Sequence, residues 1–190
     1  MTTKPLPDSL SREQFEQAVA ELREVLGQER VFTDDVNELR AYRDVYATTA
    51  DDLHMPSAAI APESVEEIQK ILKIARKYIV PLWTISTGKN FAYGGPAPRK
   101  AGYVVLDLKR MNRIIEVNEK YGYAVVEPGV SYFDLYNYLQ AKNSKLWIDP
   151  AAPGWGSVLG NLTEHGAGYT PYGDHFLMNC GMQVILADGT

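Results

Sequence analysis

Two stretches of this sequence carry residue types at a spacing that suits chemistry. The first is Ser86-Thr87-Gly88-Lys89-Asn90-Phe91-Ala92-Tyr93-Gly94-Gly95. Its small residues let backbone N–H groups converge on one centre as an anion-binding nest, and two hydroxyls and the Lys89 ammonium add donors. That is equipment for holding a phosphate. The stretch is neither a Walker A loop nor a G-x-G-x-x-G motif, because Lys89 follows a single glycine and no helix signal comes after it. Gly and Ser are equally at home in an ordinary surface loop, so spacing alone leaves both readings open.

The second stretch is Pro153-Gly154-Trp155-Gly156-Ser157-Val158-Leu159-Gly160-Asn161, continued by Gly166-Ala167-Gly168-Tyr169-Thr170-Pro171-Tyr172-Gly173. Glycines this dense cost backbone entropy, and they suit close approach of the main chain to something flat or bulky. A series of tight turns is the alternative. Trp155, Tyr169 and Tyr172 either line a pocket or pack as aromatics ordinarily do.

Composition narrows the field. The chain of 190 residues is 45% hydrophobic and 23% charged, with a formal net charge of −5. No basic stripe is present, which argues against nucleic acid as a partner. Cys180 is the only cysteine, so neither an internal disulfide nor a thiolate metal cage is expected, and since free cysteines are so often buried it reads as a packed strand residue. His54, His165 and His175 lack the spacing of a helical zinc motif. No apolar run reaches the ~18 residues of a membrane span, and the start lacks the apolar core of a signal peptide. The expectation is a soluble, cytoplasmic protein without a membrane or metal partner.

The elements that must position these stretches are legible in outline. Ser11 and Gln14 form a capping box, followed by Phe15, Val19, Leu22 and Leu26 on one helical face, with Gly27 as the stop. A short strand is expected over 57–61. A second capping box, Ser64 with Glu67, opens a helix through Tyr78, and a buried strand follows over 80–85. Strand–helix–strand with a short turn is a βαβ unit. Further strands are expected over 103–108 and 121–126, then a helix capped by Ser131 and Asp134. Residues 182–187 look like another strand, with Asp188-Gly189 as a hairpin turn. The chain stops where the return strand should begin, which suggests a truncated product rather than a complete enzyme. The pattern is mixed α+β, read as a helical lead-in over 1–55 and a main domain over 56–190.

Taken together, the 86–95 loop, Glu127-Pro128-Gly129-Val130, the run from Gly156 to Asn161, and Gly168-Tyr169-Thr170-Pro171-Tyr172-Gly173-Asp174-His175 resemble the vanillyl-alcohol oxidase and 4-cresol dehydrogenase (p-cresol methylhydroxylase-type) flavoproteins. The resemblance runs from about residue 10 to Thr190, with four motifs in register. It implies an α+β fold, namely a two-subdomain FAD-binding domain of p-cresol methylhydroxylase type that ends before the substrate cap. By that resemblance Ser86, Thr87, Gly88, Lys89 and Asn90 wrap the FAD pyrophosphate, with Ala92 and Tyr93 continuing the loop. Gly156, Ser157, Asn161 and Glu164 match a second flavin-contacting strip, which Gly166 and Tyr169 extend. Tyr93 matches a catalytic tyrosine that binds and deprotonates a phenol.

The activity implied is FAD-dependent oxidation of a para-substituted phenol, such as a 4-alkylphenol or vanillyl-alcohol type, through a quinone methide. The partners implied are a small phenolic substrate, the missing cap, a cytochrome or O2 as electron acceptor, and further copies of the full-length protein in a homo-oligomer. The sequence departs from the pattern in places. Ala152 stands where vanillyl-alcohol oxidase has a catalytic aspartate, and Asp149, three residues earlier, matches a different position. His165 stands where the family usually has arginine. Two other readings stay open: a non-catalytic flavin-binding fragment, and an FAD-dependent oxidase of a non-phenolic alcohol such as a hydroxy acid or sugar lactone.

Overall fold

The structure, a computed structural model, describes residues 5–33, 36–44, 46, 53–90 and 95–190. The first helix, α1 (Arg12–Leu26), begins as the capping box predicts. The Ser11 hydroxyl accepts the Gln14 N–H, and the Gln14 side chain accepts the Ser11 N–H. Its buried face is Phe15, Ala18, Val19, Leu22 and Leu26. Strand β1 (Val31–Phe32) and helix α2 (Val36–Arg40) follow.

Strand β2 (Ala58–Ile60) leads into helix α3 (Val65–Tyr78), then β3 (Leu82–Ile85) and β4 (Val104–Asp107). The sheet order is β1-β2-β4-β3, with β1 antiparallel to β2, and β2 and β3 both parallel to β4. The strands of the βαβ unit are therefore not neighbours, since β4 lies between them. Central β4 is buried at all four residues, as a parallel strand covered on both faces must be. Strand β3 was expected to be buried but sits at the sheet edge, where only Ile85 is buried and Thr84 is exposed. One face of the sheet packs on α1 and α3 through Leu22, Leu26, Ile60, Ile71, Val104 and Leu106. The other face packs on Leu39, Tyr42 and Met55. Residues of the lead-in thus share a core with the main sheet.

Ser64 caps α3 by accepting the Glu67 N–H, but the second half of the expected box does not form. The Glu67 carboxylate takes the Glu63 N–H at 2.8 Å and a two-point contact from Arg30, 2.8 Å at each oxygen. Arg30 also donates from Nε to the Leu26 carbonyl at 2.6 Å, so one guanidinium ties the end of α1 to the start of α3. Burial pushes the Glu67 carboxyl up, but the Arg30 contacts outweigh it and hold it below the ordinary value.

A second lobe has its own core. Strands β5 (Ile114–Asn118) and β6 (Tyr123–Val126) form an antiparallel pair with a bulge between Ile114 and Glu116. They pack with α4 (Tyr132–Ala141) around Val130, Leu135 and Leu139. Ser131 and Asp134 form the predicted capping box. A short helix, α5 (Val158–Thr163), lies inside the glycine-rich second stretch, where no helix was expected. The expected strand over 182–187 is not formed. Those residues pair with no neighbouring strand among the described residues, and a ladder needs a partner backbone. The turn signal after them does form, with the Gly189 N–H donating to the Leu186 carbonyl at 2.8 Å. Cys180, expected inside a strand, is exposed. Among the described residues no helix is long and apolar enough to cross a membrane.

Candidate functional site

The loop 86–90 leaves the carboxyl end of β3. Because β2, β3 and β4 are mutually parallel, their carboxyl ends lie on one edge of the sheet, where open α/β sheets bind ligands. Ser86, Thr87 and Gly88 form a bend, with Thr87 buried and Lys89 exposed. Gly88 has φ +65°, a conformation that costs a side-chain-bearing residue energy, and a Cβ there would lie 2.9 Å from Pro96. The loop closes on itself where the Gly95 N–H donates to the Asn90 carbonyl at 2.8 Å. Ala92 and Tyr93 fall outside the described residues.

The second stretch is built around α5. The Ser157 hydroxyl accepts the Gly160 N–H at 3.0 Å and donates to the Pro128 carbonyl at 2.7 Å, and the residue is buried. Its side chain caps the helix and spends its one donor on the Pro128 carbonyl. Gly156 gives its carbonyl to the Tyr132 N–H at 3.0 Å, which joins the starts of α4 and α5. Ala152 is half-buried, and Glu164 is exposed at the end of α5. Tyr169 is 91% exposed.

The two stretches meet. A Cβ on Gly160 would stand 2.7 Å from Ser86 Oγ, closer than such atoms come, so any side chain there would turn the Ser86 hydroxyl out of its position. Beside this contact lies a set of polar side chains. The Tyr132 hydroxyl donates to Asn161 Oδ1 at 2.9 Å. The His175 ring touches Asn161 Oδ1 through Nδ1, and its Nε2 lies 2.9 Å from the Asp149 carbonyl oxygen. The Asp149 carboxylate accepts the N–H groups of Tyr169 and Thr170 at 3.2 and 2.9 Å. Burial, then the Asp149 charge, pushes the Tyr132 hydroxyl up to about 12, so it stays a donor. Contacts from Thr170, with help from Tyr169 and the His175 charge, hold the Asp149 carboxyl below its usual range. Both carboxylate oxygens of Asp149 are thus occupied by backbone N–H groups.

His165, in the left-handed region at φ +54°, stacks on Phe176 with ring centroids 4.2 Å apart. Sequence reasoning missed the supporting roles of Tyr132 and Asp149. It also missed α5, for which the Ser157 cap was the available signal. A shallow cleft of about 750 Å³ edged by Arg23, Glu29, Phe32 and Glu38 shares no residue with either stretch.

Both stretches therefore converge at one sheet edge, with a positive-φ glycine in one and a glycine held against it in the other. Residues 56–190 match the family described as FAD binding domain. The chain belongs to that family. Its cofactor is FAD, and the residues present suit the group: a donor-rich bend at the carboxyl end of a parallel strand for the pyrophosphate, and a close-packed glycine surface beside it.

The chain is 41% identical over 185 residues to the 4-cresol dehydrogenase (hydroxylating) flavoprotein subunit of Pseudomonas putida, covering 97% of this chain and 35% of that protein. The fold superposes on p-cresol methylhydroxylase with substrate bound at a TM-score of 0.95 and 41% identity, covering 98% of this chain and 36% of that one. It superposes on 4-ethylphenol oxidase from Gulosibacter chungangensis, in complex with isoeugenol, at a TM-score of 0.93 and 49% identity, covering 97% and 35%. The fold is thus that of the p-cresol methylhydroxylase-type FAD-binding domain, and the chain spans about a third of the length of these relatives.

Proposed function

We propose that this chain is the FAD-binding part of an oxidoreductase that oxidises a para-substituted phenol at its benzylic carbon. The supporting observation is the 41% and 49% identity, across nearly the whole chain, to enzymes of 4-cresol and 4-ethylphenol. The loop 86–90 holds the pyrophosphate of the cofactor, and the strip from Gly156 to Tyr169 supports its ring system. When bound, FAD supplies the hydride acceptor.

Tyr93 acts on the substrate. A phenol has a pKa near 10, so holding it as phenolate at pH 7 costs about 4 kcal/mol. A positioned donor to a developing oxyanion is worth about 2.7–4 kcal/mol, so one tyrosine hydroxyl covers most of that cost. With its proton released to solvent, the phenolate pushes electron density toward its para carbon, the benzylic carbon gives up a hydride to the acceptor, and a quinone methide remains. Water adds to it, or a proton leaves the neighbouring carbon. Ala152 offers no proton acceptor for the water, and the Asp149 oxygens already accept backbone N–H groups. Water is then activated by a group on the cap, or it adds slowly and with less stereoselectivity. The remaining length of the protein supplies the substrate cap, and a cytochrome or O2 takes the electrons.

The test is anaerobic mixing of the FAD-loaded full-length protein, substrate cap included, with 4-ethylphenol or with D-lactate, following the visible absorbance of the flavin. Bleaching by the phenol alone is expected. Bleaching by the hydroxy acid and not by the phenol would replace the phenolic reading.

A further inference from the structure

Asn161 is a proposed FAD contact, yet its side chain is gripped from behind. Its Oδ1 accepts the Tyr132 hydroxyl and faces His175 Nδ1, while Gly166 leaves no room for a side chain beside the amide. The other ring nitrogen of His175 lies against the Asp149 carbonyl, which can only accept. The Tyr132 hydroxyl also lies 3.4 Å from Nδ1.

We propose that His175 is a positioning residue for FAD binding: its ring, wedged between Asn161 and the Asp149 backbone beside the Tyr132 hydroxyl, holds the Asn161 amide with its oxygen inward, so that the amide NH2 is the group presented to the cofactor. The same ring ties Asn161 to the backbone of Asp149, and through the Asp149 carboxylate to the backbone of Tyr169 and Thr170. One residue thereby sets the orientation of a strip spread over the second stretch. The proposal rests on the FAD-contact role assigned above to Asn161.

The experiment compares FAD dissociation constants of the full chain carrying His175, His175→Ala, His175→Asn and His175→Gln, with the melting temperature of each FAD-free protein as a control. An asparagine amide can place its donor where Nδ1 was, and a glutamine amide can place its donor where Nε2 was. Removal of the ring is expected to weaken FAD about tenfold, the worth of one hydrogen bond at the upper end of the ordinary range. His175→Asn should recover most of that loss and His175→Gln should not, although both keep a melting temperature near that of the unaltered protein. Recovery by glutamine and not asparagine, or equal affinity in all four, overturns the proposal. Loss of affinity that merely tracks the melting temperatures also overturns it, by reducing His175 to a structural tie. If the unaltered protein binds no FAD, the parent reading of the site fails, and this one with it.

Discussion

The Ser86 hydroxyl occupies the space where a Gly160 side chain would begin, 2.7 Å from the ideal Cβ position. Gly160 lies inside α5, where alanine would ordinarily raise helix stability by about 1 kcal/mol. The contact opposes that gain. Gly160→Ala is expected to turn the Ser86 hydroxyl from its position and weaken FAD binding. Ser86→Ala removes Oγ, so the Ser86→Ala, Gly160→Ala double variant should bind FAD more tightly than Gly160→Ala alone. Titration of the three proteins with FAD checks this, and strictly additive losses would mean that the loop and the helix do not touch.

Selectivity between flavins tests the loop itself. The donors over 86–90 suit a pyrophosphate, which FAD has and FMN lacks. FAD is expected to bind far more tightly than FMN, and Lys89→Ala should narrow the gap by weakening FAD more than FMN. Equal affinities for the two flavins would remove the loop from the cofactor site.

Tyr93 carries the catalytic assignment. In the FAD-loaded full-length protein carrying the cap, Tyr93→Phe should leave FAD bound and slow flavin reduction by a 4-alkylphenol roughly 100–1,000-fold, the effect of deleting one donor to a developing anion. Stopped-flow absorbance gives the rate, and an unchanged rate would leave Tyr93 a packing residue.

The Arg30–Glu67 pair predicts an acid limit to stability. The folded-state pKa of Glu67 is depressed, so its contribution is complete above the ordinary carboxyl value of 4.5 and is lost as pH falls through the folded value. Glu67→Gln is expected to lower stability by about 1.5–3 kcal/mol at pH 7, where it removes a charge-assisted two-point contact. In acid well below 4.5 the two proteins should converge. Urea unfolding at both pH values measures the gap, and a gap independent of pH would show that the guanidinium bonds do not depend on the carboxylate charge.

What could be read directly from the residues was what lies within about one helical turn of its own cause. The caps at Ser11 and Ser131 each join a hydroxyl to an N–H three residues on, and the apolar faces of α1 and α3 repeat at the helical period, so both kinds of element were legible. The donor-rich loop and the glycine run were likewise visible as chemistry, and their order and spacing carried the family likeness. The other features depend on partners distant along the chain. β3 turned out to be an edge strand because β4 fills the place between it and β2. Glu67 left its own cap for Arg30, a stronger partner supplied by the end of α1. Residues 182–187 have strand-like composition, yet composition forms no ladder without a neighbour. The contacts of Gly160 with Ser86, and of His175 with Asn161 and Asp149, exist only because the sheet edge and α5 bring separate segments within a few ångströms. Local hydrogen bonding and periodicity settle the elements; packing between distant segments settles the site.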